Sequence, residues 1–423
     1  MLRKISVRKR SAMLVLLVFG VLLGAACAQT ESVLYSFCTQ YDCTDGSGPM
    51  AGLIFDQKGN LYGTAYAGGS GIHGAAGAVF KLTPKGKETV LYSFCSQNGC
   101  TDGENPVAGL VSDQNGNLYG TTEYGGVDYG VVFELTANGK YTVLHSFVGS
   151  DGENPYGGLV FDQKGNLYGT TVNGGTYGKG VVFKLTPKGK ETVLYSFCAQ
   201  NDCADGALPY AGLVLDQKGN LYGTTYSGGA NSSDACYGYY EYECGVVFKL
   251  SPKGKETVLY SFCAQNGCTD GAHPYAGLVF DQKGNLYGTT WLGGNNNACN
   301  TGGSGCGVVF KLSRKGTETV LYRFCAQDNC VDGSLPGAGL VLGTNGDLYG
   351  TTQLGGAPGD RGIVFKVSPE GKETVLHSFC WQDNCTDGAE PYSGVVFDQK
   401  GNLYGTTQGG GPAYRGVVFK LAP

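Results

Sequence analysis

Charge is scarce in this chain of 423 residues: 15 % of it is Asp, Glu, Lys or Arg, where an average domain carries about a quarter. The 30 basic residues are outnumbered by 35 acidic ones, so no basic surplus exists to draw in nucleic acid. Histidine occurs four times and tryptophan twice. No HExxH, nucleophile elbow, phosphate loop or EF-hand appears, so neither a catalytic residue nor a metal or cofactor site is assigned. Long apolar runs are also missing. Met13–Leu23 is too short to cross a bilayer, and nothing later approaches it, so no membrane span is expected. Gly and Pro total 87 residues, a fifth of the chain and short of the roughly 25–30 % that marks low-complexity disorder. Hydrophobic residues at 41 % and aromatics at 12 % supply a core.

The N-terminus has the form of an export signal. MLRKISVRKR is basic, Met13–Leu23 is apolar, and Ala26-Cys27-Ala28 is a small-x-small cleavage site. Residues 1–28 are read as a signal peptide and 29–423 as one domain. Cleavage removes five basic residues and no acid, leaving 25 basic against 35 acidic residues. Cys27 offers an alternative, lipidation, although Gly24 stands where a lipobox has leucine. Either way the protein is expected to be exported: secreted, periplasmic or at the cell surface.

What is abundant is repetition. GNLYG begins at Gly59, Gly116, Gly165, Gly219, Gly284 and Gly401, with GDLYG at Gly346. The spacings of 49 to 65 residues exceed those of helical solenoids and suit propeller blades. Each copy holds four β-type runs: GLVFD, LYGTT, GVVFKL and ETVLYSF. Asp and Gly in DQKGN, and Pro and Gly in TPKGK, are hairpin residues. GVVFK and TVLYSF are nearly continuous apolar runs, as in strands covered on both faces. The glycine inside LYGTT is read as admitting a neighbouring blade. SVLYSF at Ser32–Phe37 lacks a blade before it, and GVVFKLAP at the other end lacks a fourth strand. The two complete each other. The fold is therefore all-β: a single seven-bladed β-propeller of four-stranded antiparallel blades, its last blade closed by the N-terminal strand.

The repeat GLVFDQKGNLYGTT…GGTYGKGVVFKLTPKGKETVLYSF (Gly158–Phe197) resembles the GloVer (Gloeo_Verruco) tandem-repeat family of exported bacterial proteins. The resemblance runs over essentially all of residues 29–423. It implies secretion or surface association and assigns no biochemical activity. Family members differ in anchoring, and no C-terminal sorting segment is expected after Pro423. The D-x-x-G-N-L-Y core is also similar to propeller repeats of bacterial sensor ectodomains, which bears on fold alone.

Sixteen cysteines fall in local pairs. Six pairs are C-x4-C after the ETVLYSF run: Cys38/Cys43, Cys95/Cys100, Cys198/Cys203, Cys263/Cys268, Cys325/Cys330 and Cys380/Cys385. The third copy, SFVGSDG, has lost both members. Two longer loops add Cys236/Cys244 and Cys299/Cys306. Cysteines gained and lost two at a time within one loop are read as disulfides, with zinc and free thiols as the weaker readings.

If ETVLYSF is the outer strand, the crossing loops and the glycine-rich loops share one face, and the DQKGN and TPKGK turns share the other. The turn face then repeats lysines such as Lys58, Lys85, Lys87 and Lys164, and the loop face repeats acids. Function is expected on the loop face. The seven Asp-Gly steps, from Asp45 to Asp387, occur in every copy and are read as turn residues, with a shared calcium role as the lesser reading. His145 and His377 stand where other copies have Tyr. Asymmetry points instead to the longest loops. Tyr237, Tyr239, Tyr240, Glu241 and Tyr242, with Trp291 and the crossing-loop Trp381, are candidate ligand-binding residues, since exposed rings beside carboxylates suit sugars or a protein partner. The function expected is a monomeric, exported, non-catalytic binding propeller with polysaccharide or a surface protein as partner. Two alternatives stand beside it: a polysaccharide-degrading hydrolase or lyase, and a structural cell-surface component.

Overall fold

The computed structural model describes residues 30–71, 76–231, 236, 244–294 and 304–422. Within them, 28 strands form seven four-stranded antiparallel sheets. Blade 3 shows the plan, with Val160–Phe161, Leu167–Thr171, Val181–Leu185 and Glu191–Ser196 paired in that order. The turn between its first two strands is built by Asp162. Its carboxylate accepts the backbone N–H of Lys164 at 2.8 Å and of Asn166 at 2.9 Å, while Gly165 takes φ 78°. Side-chain caps of this kind and a left-handed glycine are what DQKGN offers.

The two-residue strands stand nearest the axis. Their leading glycines abut around the ring: a Cβ on Gly212 would lie 2.7 Å from the Gly158 carbonyl oxygen, and one on Gly394 2.5 Å from that of Gly339. Threonine hydroxyls of the second strands tie six of the seven blades to the next, the exception being Thr121 of blade 2. Thr170 Oγ1 donates to the Ala211 carbonyl at 2.8 Å, and Thr406 Oγ1 reaches Ala51, near the opposite end of the chain, at 3.0 Å. The ring closes as the repeat phase implies. Thr30–Ser36 pairs antiparallel with Val417–Ala422, Thr30 opposite Ala422 and Ser36 opposite Val417, and is the outer strand of blade 7.

The blades are joined by phenylalanine pairs. The Phe ending each outer strand meets the Phe of the next blade's third strand edge-to-face, as in Phe37–Phe80, Phe147–Phe183 and Phe379–Phe419, with centroids 5.0 to 5.1 Å apart. These rings are fully buried, and edge-to-face geometry adds about 0.5–1.5 kcal/mol beyond area burial. The mid-strand glycine serves this contact in a way the sequence does not disclose. A Cβ on Gly169 would sit 2.6 Å from Cζ of Phe183, in the paired strand of the same blade. It admits its own blade's ring, not the neighbouring backbone.

The third strand is buried on both faces, as its apolar run implies. The outer strand is only half-buried. A bulge explains its apolar look: pairing slips between Val182 and Phe183, leaving Leu194 unpaired, so consecutive apolar residues do not have to alternate. Among the described residues no helix is long and apolar enough to cross a membrane.

Candidate functional site

Six of the seven crossing loops are cross-linked. Cys38–Cys43, Cys95–Cys100, Cys198–Cys203, Cys263–Cys268, Cys325–Cys330 and Cys380–Cys385 are disulfides, as is Cys236–Cys244. Cys306 is also disulfide-bonded, and Cys299 lies outside the described residues. Both cysteines of each C-x4-C pair adopt positive φ, for example Cys198 at 65° and Cys203 at 49°. The residue before the second cysteine is also left-handed and is always Asp, Gly or Asn, the types that tolerate that region.

The repeated Asp-Gly aspartates complete these loops. Asp205 is fully buried and accepts from the Tyr195 hydroxyl at 2.7 Å and from the backbone N–H of Ala199 and Gln200 at 2.9 and 3.1 Å. Its role is structural, but it caps the disulfide loop behind it and does not start the next blade. His145 and His377 take the tyrosine's place, with Nε2 3.0 Å from Asp151 and 3.4 Å from Asp387.

Two positions per blade surround the axis on the loop face. The inner strand starts there, so the residue after each repeated proline faces the mouth: Met50, Val107, Tyr156, Tyr210, Tyr275, Gly337 and Tyr392. The second strand ends there, which places Tyr66, Glu123, Val172, Tyr226, Trp291, Gln353 and Gln408 beside them. Seven of these fourteen residues are Tyr or Trp, one is a carboxylate, and none is basic.

The rings form one cluster. Tyr156 lies 5.3 Å from Tyr210, and Tyr210 stacks on Tyr275 at 4.8 Å. Tyr156 and Tyr275, from blades that are not neighbours, are 6.0 Å apart, which fixes the cluster at the axis. Tyr226 touches Tyr210 at 5.6 Å and Trp291 at 6.4 Å, and stacks on buried His273 at 4.4 Å. Gln353 donates to the Tyr392 hydroxyl. Burial pushes the Tyr156 and Tyr226 phenols up to about 12. It also raises Glu123 above the ordinary carboxylate range, against a Tyr124 hydrogen bond that lowers it, and the Glu123 charge reaches Tyr66, Tyr156 and Tyr210.

Of the residues singled out from sequence, Trp291 belongs to this mouth. Trp381 does not join it. It is 69 % exposed, in the disulfide loop that follows an outer strand, and its backbone N–H donates to Asp387 at 3.1 Å. Tyr237, Tyr239, Tyr240, Glu241 and Tyr242 lie outside the described residues. Tyr156, Tyr210, Tyr226, Tyr275, Tyr392 and Glu123 escaped sequence reasoning. Their signal was present: they occupy repeat positions at which the seven copies disagree, beside positions at which they agree.

A sequence model described as the Gloeobacter/Verrucomicrobia repeat matches residues 25–237 and 235–423. The chain belongs to this family. No functionally curated protein matches it significantly. Among solved structures, it is similar to the extracellular domain assigned to a one-component system of B. thetaiotaomicron, at 11 % identity and TM-score 0.56 over 92 % of this chain and 40 % of that one. It is also similar to PorZ of Porphyromonas gingivalis, a surface component of the type-IX secretion system, at 14 % identity and TM-score 0.50 over 90 % and 47 %. The chain thus spans less than half of either protein. A gluconolactonase of Xanthomonas campestris superposes only at TM-score 0.40, with 15 % identity over 73 % and 82 %, too loosely to carry an argument. These likenesses show the propeller fold.

Proposed function

We propose that this family member is an exported binding propeller that takes a polysaccharide at the axial mouth of its loop face, without catalysing a reaction on it. The observation that carries the reading is where sevenfold symmetry breaks. Framework positions repeat around the ring, whereas the axial positions differ and collect seven aromatic rings, two glutamines and Glu123. Aromatic faces stack on sugar rings, and phenols, amides and one carboxylate serve their hydroxyls. The absence of a cation from these positions disfavours phosphorylated or uronate ligands. Export is supported by the disulfides, which persist in oxidising compartments, and by the signal-like residues 1–28, which lie outside the described residues.

The test is binding of residues 29–423 to a panel of neutral and anionic polysaccharides, followed by titration of the best ligand. Tyr210→Ala and Tyr275→Ala are each expected to weaken binding at least tenfold, whereas Trp381→Ala leaves it within twofold. A blank panel, or a ligand that Trp381→Ala abolishes while both tyrosine variants bind normally, overturns the reading.

A further inference from the structure

The turn face presents a different chemistry, independent of the axial mouth. Of the 25 basic residues beyond position 28, all but Lys179, Arg323, Arg361 and Arg415 lie on or beside the hairpin turns. Fifteen of them are exposed there, three on each of blades 1, 3, 4 and 5 and one on each of blades 2, 6 and 7. Lys58, Lys164, Lys218, Lys283 and Lys400 are one repeated set, at the tips of the first hairpins. Among the described residues none of these five has a carboxylate within salt-bridge distance. Among the described residues the only exposed acid of the turns is Glu370; the glutamates that open the outer strands beside them are half-buried.

The hairpin aspartates, ionised but set back from the surface, reduce this field without outnumbering the exposed lysines. They are only part-exposed, and their carboxylates are directed into the turn. Burial works against ionisation of Asp162, but hydrogen bonds from Asn166, two backbone N–H groups and Tyr168 outweigh it and hold the group below the ordinary range. One row back, Lys81, Lys184, Lys249, Lys311 and Lys420 lie 5.4 to 5.7 Å over tyrosine rings, which keeps their charge on this face. The acidic loop face is one strand length away, about 17 Å for five residues. That exceeds the Debye length of about 8 Å at physiological salt, so the exposed loop-face acids offset the exposed lysines only weakly; the half-buried strand-opening glutamates, such as Glu88 beside Lys87, are the acids that feel both faces.

We infer that the turn face docks on a bilayer surface rich in anionic headgroups, holding the axial mouth outward. Three observations select a flat, anionic lipid surface over a linear polyanion or an apolar partner. The lysines ring the disc and do not line one groove. Among the described residues, the exposed large hydrophobics, including Tyr41, Tyr124, Trp381 and Tyr414, are all on the loop side, so adsorption needs no insertion. The cleft of about 450 Å³ between blades 4 and 5 is walled by Lys218, Lys249, Lys283 and Arg314, with Asp216 and Asp281, and has room for a headgroup.

The experiment is co-sedimentation of residues 29–423 with vesicles of phosphatidylcholine containing 30 mol % phosphatidylglycerol, at about 50 and 300 mM NaCl. Binding is expected at low salt and falls at least tenfold at high salt. It is absent on pure phosphatidylcholine. The triple variant Lys164→Glu/Lys218→Glu/Lys283→Glu should lose it by roughly fivefold or more per lysine. Arg415→Glu, on the loop side, should bind as the unaltered protein does. All variants are exposed-surface changes, and unchanged melting confirms folding. No binding to phosphatidylglycerol vesicles at low salt overturns the inference. So does retention by the triple variant, or capture by soluble polyglutamate under conditions where vesicles stay bare. Because the mouth is untouched, a failed polysaccharide titration leaves this result standing, and the reverse holds.

Discussion

At the residue scale, the molecule separates side chains that build the repeat from those that break it. Gly169 belongs to the first kind. Its missing Cβ is the space that Phe183 fills, and Leu159 Cδ2 lies 2.9 Å from the same point. Gly169→Ala is therefore expected to destabilise the fold by about 1–3 kcal/mol, the usual cost of overpacking, read as a lowered denaturant midpoint at unchanged slope. The repetition of glycine here was legible in the sequence; its partner was not, because the ring comes from the paired strand. Tyr210 and Tyr275 belong to the second kind. Each follows a proline in a run that reads as a loop, and only ring closure brings residues from three blades into contact.

At the scale of elements, the crossing loop is the unit that sequence spacing describes best. Local pairing of cysteines was readable because each pair comes and goes together. What spacing did not reveal is that both cysteines sit in the left-handed region, a conformation costing of order 1 kcal/mol or more for a non-glycine residue. The crosslink and the buried aspartate hold that geometry together. Replacing Cys198 and Cys203 by Ser is expected to lower stability by at most about 2 kcal/mol and to raise amide exchange in the 198–206 loop, measured by mass spectrometry. Unreduced protein should show no alkylatable thiol among the described cysteines. Cys236 Sγ lies 3.9 Å from Cys268 Sγ, so partial reduction should give Cys236–Cys268 as the first non-native pairing in peptide mapping.

At the scale of the whole molecule, inter-blade contact creates a pH dependence that no single blade would show. Each outer strand but those of blades 2 and 7 opens with a glutamate. Burial, and then repulsion from an aspartate of the preceding crossing loop, push Glu88, Glu191, Glu256, Glu318 and Glu373 up to about 7. A carboxyl raised on folding contributes stability that is full below its unfolded value near 4.3 and is lost as pH rises through about 7. The hairpin aspartates, held below their ordinary value, act oppositely, and their contribution is lost only as pH falls through that depressed range. Thermal midpoints should therefore be higher at about pH 5 than at pH 8. Glu256→Gln should raise the pH 8 midpoint and flatten the profile. Deleting residues 30–36 should expose the edge of blade 7 and produce aggregation during chromatography, since an unpaired strand edge templates association.

The number of blades, their four strands, the phase that closes the ring and the cysteine pairs were determined by the sequence alone, because each is a local pattern written seven times. Turn chemistry, apolar runs and paired losses all lie within about sixty residues of one another. Tertiary structure decided which strand faces the axis, that the glycine admits a phenylalanine, and that the strand-opening glutamates meet aspartates of the preceding crossing loop. It also decided that the aromatic residues gather at the axial mouth, while Trp381 stands apart on a crossing loop. The physical reason is the same in each case. These contacts join residues of different copies, and their distances are set by closing the ring, which no single repeat contains.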